Sequence, residues 1–125
     1  MMELGTIHHI ALNVSDYERS KVFYIEKLGF QILWEYTFPS GTRRMDCVQG
    51  QTRLEIFCNS IAGNGYQERN LGYRHLCFLT EDIEGLAFKL KESGIVVEDI
   101  RTDMMSGGKM TFFRDPDGIV IELHE

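Results

Sequence analysis

The sequence predicts an α+β fold built from two βαβββ modules, and three observations predict it. An apolar strand carrying a histidine occurs twice, at Ile7-His8-His9-Ile10-Ala11-Leu12-Asn13-Val14 and at Tyr73-Arg74-His75-Leu76-Cys77-Phe78-Leu79. Each is followed by an acidic turn, a helix-like segment and a glycine break. The offsets are 75 − 9 = 66 for the histidines, 82 − 16 = 66 for the turn aspartates and 94 − 29 = 65 for the glycines. Near the end of each copy an apolar strand carries one glutamate, Glu55 and Glu122, offset by 122 − 55 = 67. Self-similarity at a fixed period marks a supersecondary unit written twice.

Each element has its own signal. Residues 6–14 alternate and carry β-branched side chains, as a strand does. Ser15 with Glu18 three residues on fits a capping box, and a helix runs from about 16 to 28 with Ser20, Phe23, Tyr24 and Leu28 on one face. Gly29 supplies its left-handed stop. Strands follow at about 30–38, 42–49 and 52–59, separated by Pro39-Ser40-Gly41 and Gly50-Gln51. Residues 60–71 carry no periodicity and read as a connection. The second copy repeats the order with a strand at 73–80 and a helix at 83–93 bearing Ile83, Leu86, Ala87 and Leu90 at helical spacing. Strands at about 95–102, 108–114 and 118–124 close it, the last two joined by the turn Asp115-Pro116-Asp117-Gly118. The expected organisation is one domain over 1–125, with module 1 at about 6–59 and module 2 at about 73–124.

The bulk numbers narrow the function. With 43% hydrophobic and 26% charged residues over 125 positions, the chain reads as an ordinary globular domain. A net charge of −6 argues against a nucleic-acid partner, which requires a basic face. No basic leader and no apolar run of the ~18 residues needed to span a bilayer is present, so a cytoplasmic location without membrane contact is expected. Cys47, Cys58 and Cys77 lie in strand-like segments with no C-x-x-C pair, and free thiols are expected.

Strand alternation assigns faces. His9, Ala11 and Asn13 share one face of the first strand, opposite the apolar set Ile10, Leu12 and Val14. Arg53, Glu55, Phe57 and Asn59 likewise oppose Leu54, Ile56 and Cys58, and Glu122 is bracketed by Ile121 and Leu123. His9, Glu55, His75 and Glu122 therefore point away from the faces that helices cover, toward a concave surface if the sheet curves. Singly, each is better explained as a solvent-facing or hydrogen-bonded structural group. Recurrence of one imidazole and one carboxylate at matching places makes them a candidate ligand set, because an ionised glutamate in an apolar strand needs a partner. Two imidazoles and two carboxylates suit one divalent ion, zinc or nickel foremost, with cobalt, manganese or iron as alternatives. Such a site polarises a carbonyl oxygen while an adjacent carboxylate moves a proton from carbon.

The paired modules, these four residues and the closing Phe113-Arg114-Asp115-Pro116-Asp117-Gly118-Ile119-Val120-Ile121-Glu122-Leu123 resemble the vicinal oxygen chelate superfamily, within its glyoxalase I (lactoylglutathione lyase)-like branch. The resemblance covers nearly the whole chain. It implies the glyoxalase/bleomycin resistance/dihydroxybiphenyl dioxygenase fold, a curved mixed sheet around a metal held by His9, Glu55, His75 and Glu122, and a homodimer. It implies a lyase or isomerase acting on a small thiol–aldehyde adduct through a metal-bound enediolate, with Glu122, joined by Glu55, moving the proton. Asn59 matches a substrate-contacting asparagine of that branch. Asn13 stands where bacterial glyoxalase I usually has an arginine for a glutathione carboxylate, and Arg53 is the candidate replacement. Thiol transferases and ring-cleaving dioxygenases of the superfamily resemble two-histidine, one-glutamate sites, and methylmalonyl-CoA epimerases usually have glutamine at the second position, so Glu55 disfavours both. A small-molecule binding or resistance protein without chemistry is the alternative from another class.

Overall fold

Two aspartates set both helices. In a computed structural model describing residues 2–59 and 65–125, the Asp16 carboxylate accepts from the backbone N–H of Arg19 and the Asp82 carboxylate from that of Gly85. Each satisfies an N–H that the first helical turn leaves without a partner. The first cap is thus Asp16, one residue after the expected Ser15, and it repeats at an offset of 66, as 82 − 16.

The chain divides into two compact units, Met1–Gly63 and Asn64–Glu125. The first contains β1 (Ile10–Val14), α1 (Tyr17–Lys21) continuing as a π-helical segment (Val22–Lys27), β2 (Gln31–Thr37), β3 (Arg43–Gln49) and β4 (Thr52–Cys58). Its sheet has the order β1-β4-β3-β2, with β1 parallel to β4 and the other pairs antiparallel. The second contains β5 (Leu76–Leu79), α2 (Ile83–Glu92), β6 (Arg101–Thr102), β7 (Lys109–Arg114) and β8 (Val120–His124), in the order β5-β8-β7-β6 with β5 parallel to β8. These are the two expected βαβββ modules in one α+β fold, the second repeating the strand order of the first. The connection expected over 60–71 lies partly outside the described residues.

Each unit has its own core. Leu54, Ile56, Met45 and Cys47 are fully buried on one face of the first sheet, where Tyr17, Phe23, Tyr24 and Phe30 are buried with them. Tyr17 joins this set although the sequence pattern omits it. In the second unit Ile83, Ala87 and Leu90 of α2 are buried, as are Ile121, Leu123 and Phe113.

The π-helical segment accounts for the one-residue drift between the copies. Asp16 to Gly29 spans 13 steps and Asp82 to Gly94 spans 12. The extra residue is absorbed where Leu28 N–H bonds the Phe23 carbonyl, a 28 − 23 = 5 spacing, at 2.9 Å. Both helices then end on a left-handed glycine, φ 83° at Gly29 and 82° at Gly94. At the second, Gly94 N–H bonds the Lys91 carbonyl and Ile95 N–H the Leu90 carbonyl, a Schellman closure.

Three boundaries depart from expectation. β1 and β5 begin at Ile10 and Leu76, so His9 and His75 immediately precede their strands. The strand expected at 95–102 is reduced to β6 and an isolated bridge from Val97 to Phe113. There the buried Thr111 hydroxyl donates to the Glu98 carbonyl at 2.7 Å, and the Glu98 N–H bonds the Phe112 carbonyl at 3.0 Å. The turn at Asp115 forms as expected: its carboxylate accepts from the N–H of Asp117 and of Ile119, both at 2.9 Å.

Candidate functional site

Strand pairing sets out the first half-site row by row. Ala11 pairs with Glu55, Glu55 with Asp46, and Asp46 with Trp34, so these four share one face of the sheet. In the next row Asn13 pairs with Phe57, and Phe57 with Arg44. His9 lies one residue before the ladder, and its Nε2 is 3.5 Å from Glu55 Oε1. Its Nδ1 meets His8 Nδ1 at 2.8 Å, one ring donating to the other. The expectation that His9 and Glu55 share the face away from the helix is met.

Glu55 is 8% exposed and would be costly as a lone charge. Arg44 answers it: one guanidinium nitrogen is 3.0 Å from Glu55 Oε2, leaving Oε1 toward His9. The same guanidinium bonds the fully buried Asp46 twice, at 2.6 and 2.9 Å. Arg53 completes the group, donating to Asp46 at 3.2 Å while lying over the Trp34 ring at 4.9 Å. Hydrogen bonds from Arg44, outweighing burial, hold the Asp46 carboxyl below the usual 3.8. Two guanidinium groups and two carboxylates balance to zero in this half. Arg53 thus lies beside Glu55 as expected, but Asp46 already engages it. Neither Arg44 nor Asp46 was singled out from the sequence, where Arg43-Arg44-Met45-Asp46 reads as a plain amphipathic strand.

The second unit repeats the pairing. His75 Nε2 lies 2.9 Å from Glu122 Oε1, and Glu122 pairs along the sheet with Cys77 on one side and Phe112 on the other. The His75 ring stands edge-on to Phe112, with centroids 5.8 Å apart at 90°. Its other nitrogen, Nδ1, meets Glu68 Oε2 at 2.8 Å. Glu68 comes from the segment expected to be a mere connection. Among the described residues no lysine or arginine pairs with Glu122, in contrast to Glu55.

Of the other expected contact residues, Asn13 is exposed on the row of Phe57 and Arg44, and the exposed Asn59 accepts a hydrogen bond from the Thr42 hydroxyl. All three cysteines are free thiols, as expected, and burial pushes the Cys47 thiol up to about 11.

Each unit therefore presents one imidazole Nε2 next to one carboxylate oxygen. Among the described residues, neither unit assembles three or more His, Cys, Asp or Glu side chains into a metal-holding group. Nitrogen and oxygen donors of this kind fit a borderline divalent ion, and two donors form half of a closed coordination set. A model of the Glyoxalase/Bleomycin resistance protein/Dioxygenase superfamily matches residues 6–123. The chain belongs to that superfamily. The crystal structure of the glyoxalase family protein from Enterococcus faecalis aligns with it at a TM-score of 0.90 and 44% identity, covering 96% of this chain and 97% of that one. The protein YwkD of Bacillus subtilis (strain 168) is 40% identical, with 99% of each chain covered. Two superfamily relatives with a named activity are more distant. A probable lactoylglutathione lyase of Synechocystis is 29% identical over 92% of this chain and 91% of its own length. The mitochondrial methylmalonyl-CoA epimerase of Bos taurus is 26% identical over 98% of this chain and 75% of its own.

Proposed function

We propose that this superfamily member is a metal-dependent lyase or isomerase of the glyoxalase I type, moving a proton on a carbon beside a carbonyl in a small thiol–aldehyde adduct or related compound. The observation that carries this reading is the same pairing made twice, His9 with Glu55 at 3.5 Å and His75 with Glu122 at 2.9 Å. His9, Glu55, His75 and Glu122 are the proposed ligands of a divalent cation, and a homodimer is the proposed assembly. When bound, that ion supplies Lewis-acid polarisation of a substrate oxygen.

The two carboxylates have different work. Arg44 holds Glu55 through Oε2 at 3.0 Å. Glu122 has only His75 as an ion-pair partner among the described residues, and its side chain is 12% exposed. Glu122 is the proposed base, taking the proton from carbon and returning it to the neighbouring carbon. Asn13 and Asn59 are the proposed substrate-facing amides, and Arg53 the cation for an acidic substrate group, with Asp46 as the anion that such a group must outcompete.

The test mixes metal-reconstituted protein with methylglyoxal and a panel of thiols. Glu122→Gln at saturating metal should cut turnover by about 10²–10⁴-fold, the usual size of a general-base contribution. Turnover surviving that substitution removes Glu122 from the proton-transfer role. The similarity to methylmalonyl-CoA epimerase supports a second reading with the same proton chemistry on a coenzyme A thioester. Solvent-deuterium incorporation into such a thioester, with no thiol–aldehyde turnover, would select it.

A further inference from the structure

We propose that Glu68 is a positioning residue that fixes the ring of His75 so that Nε2 is the nitrogen offered to a divalent cation. The inference rests on the assignment of His75 as a ligand. His75 lies between two carboxylates, Glu122 on Nε2 at 2.9 Å and Glu68 on Nδ1 at 2.8 Å. The two cannot serve one ion together, because they address opposite nitrogens of one ring. Histidine ligands ordinarily donate their second N–H to a carboxylate or carbonyl, which sets the tautomer and raises the basicity of the coordinating nitrogen. Glu68 occupies that place.

The chain secures Glu68 for the purpose. Tyr66 donates to the Arg74 carbonyl and Asn70 N–H bonds the Gln67 carbonyl at 3.1 Å, folding the segment back on itself. The Arg74 guanidinium is 3.7 Å from the same Oε2 that meets His75. The edge-on ring of Phe112 holds the imidazole from the side. Among the described residues the device belongs to one half only. Subtracting the repeat offset puts Met2 in the equivalent place, 68 − 66 = 2, and His9 Nδ1 meets the neutral-capable ring of His8 instead of a carboxylate. His75 is thereby the better-fixed of the two imidazoles.

The experiment titrates Zn²⁺ into the full chain against a chromophoric chelator and compares wild type with Glu68→Ala, Glu68→Gln and His75→Ala. Glu68→Ala should weaken zinc binding about 10- to 100-fold. Glu68→Gln, which keeps an acceptor oxygen and loses the charge, should fall between it and wild type. In the zinc-loaded protein the Nδ1–H of His75 should exchange slowly and resonate far downfield by NMR, and both properties should vanish in Glu68→Ala. Zinc affinity unchanged in both Glu68 variants while His75→Ala loses the metal overturns the positioning role alone. Zinc affinity unchanged in His75→Ala overturns the ligand assignment and the inference with it.

Discussion

Asp46 shows how one residue governs the first half-site without being a candidate ligand. Its side chain is fully buried and receives both Arg44 and Arg53, whose side chains are 27% and 24% exposed. Asp46→Ala leaves two part-buried guanidinium groups without that anion, and a loss of about 3 kcal/mol is expected, measured by urea denaturation. The Asp46 carboxyl is held below 3.8 by hydrogen bonding, so its stabilising contribution is present above that value and drains away as pH falls through the depressed one. His124 behaves oppositely. The hydrogen bond to Asp103, 3.1 Å away, raises it above the usual 6.5. Its contribution is complete below 6.5 and is lost as pH climbs through the raised value, so melting temperature against pH should flatten above about 6.5 in His124→Gln. These residues also mark where sequence reading stops. The pairs His9 with Glu55 and His75 with Glu122 were legible because one imidazole and one carboxylate interrupt an apolar alternation in each copy at nearly one period. Asp46 and Glu68 were not, because a single carboxylate in a polar-looking stretch carries no sign of the burial or the imidazole it meets.

Among elements, the helices are the best test of local control. Asp82→Ala should cost about 1 kcal/mol, and Asp16→Ala a similar amount, each read as a lower denaturant midpoint. The capping carboxylate of Asp82 also leaves no room beside Gly85, where an added Cβ would come within 2.2 Å of it. Gly85→Ala should therefore fail to give the helix-propensity gain of up to about 1 kcal/mol expected at an open position, and the same denaturant midpoint measures it. The strands and both glycine stops were readable from periodicity and turn chemistry. The π-helical segment was readable only as an arithmetical drift, since no residue type encodes it. The shortness of β6 was unreadable because Val96 and Val97 favour a longer strand, and the Thr111 bond to Glu98 just before it is a tertiary contact.

For the molecule as a whole, the proposed reading predicts one divalent ion per chain, measured by elemental analysis of dialysed protein; two ions per chain would mean that each unit fills its own site. Among the described residues, no helix is long and apolar enough to cross a membrane. The matched ladders of the two units, Ala11 with Glu55 and Cys77 with Glu122, have a bearing on how the halves are compared. Sliding the chain along itself by a rigid 66 places superimposes His9 on His75 but sets Glu55 on Ile121, a wholly buried neighbour facing the other way. Pairing geometry, by contrast, superimposes carboxylate on carboxylate. Anyone swapping segments between the halves, or threading one onto the other, must count hydrogen-bonded rungs and let the helices and hairpins absorb the surplus residues.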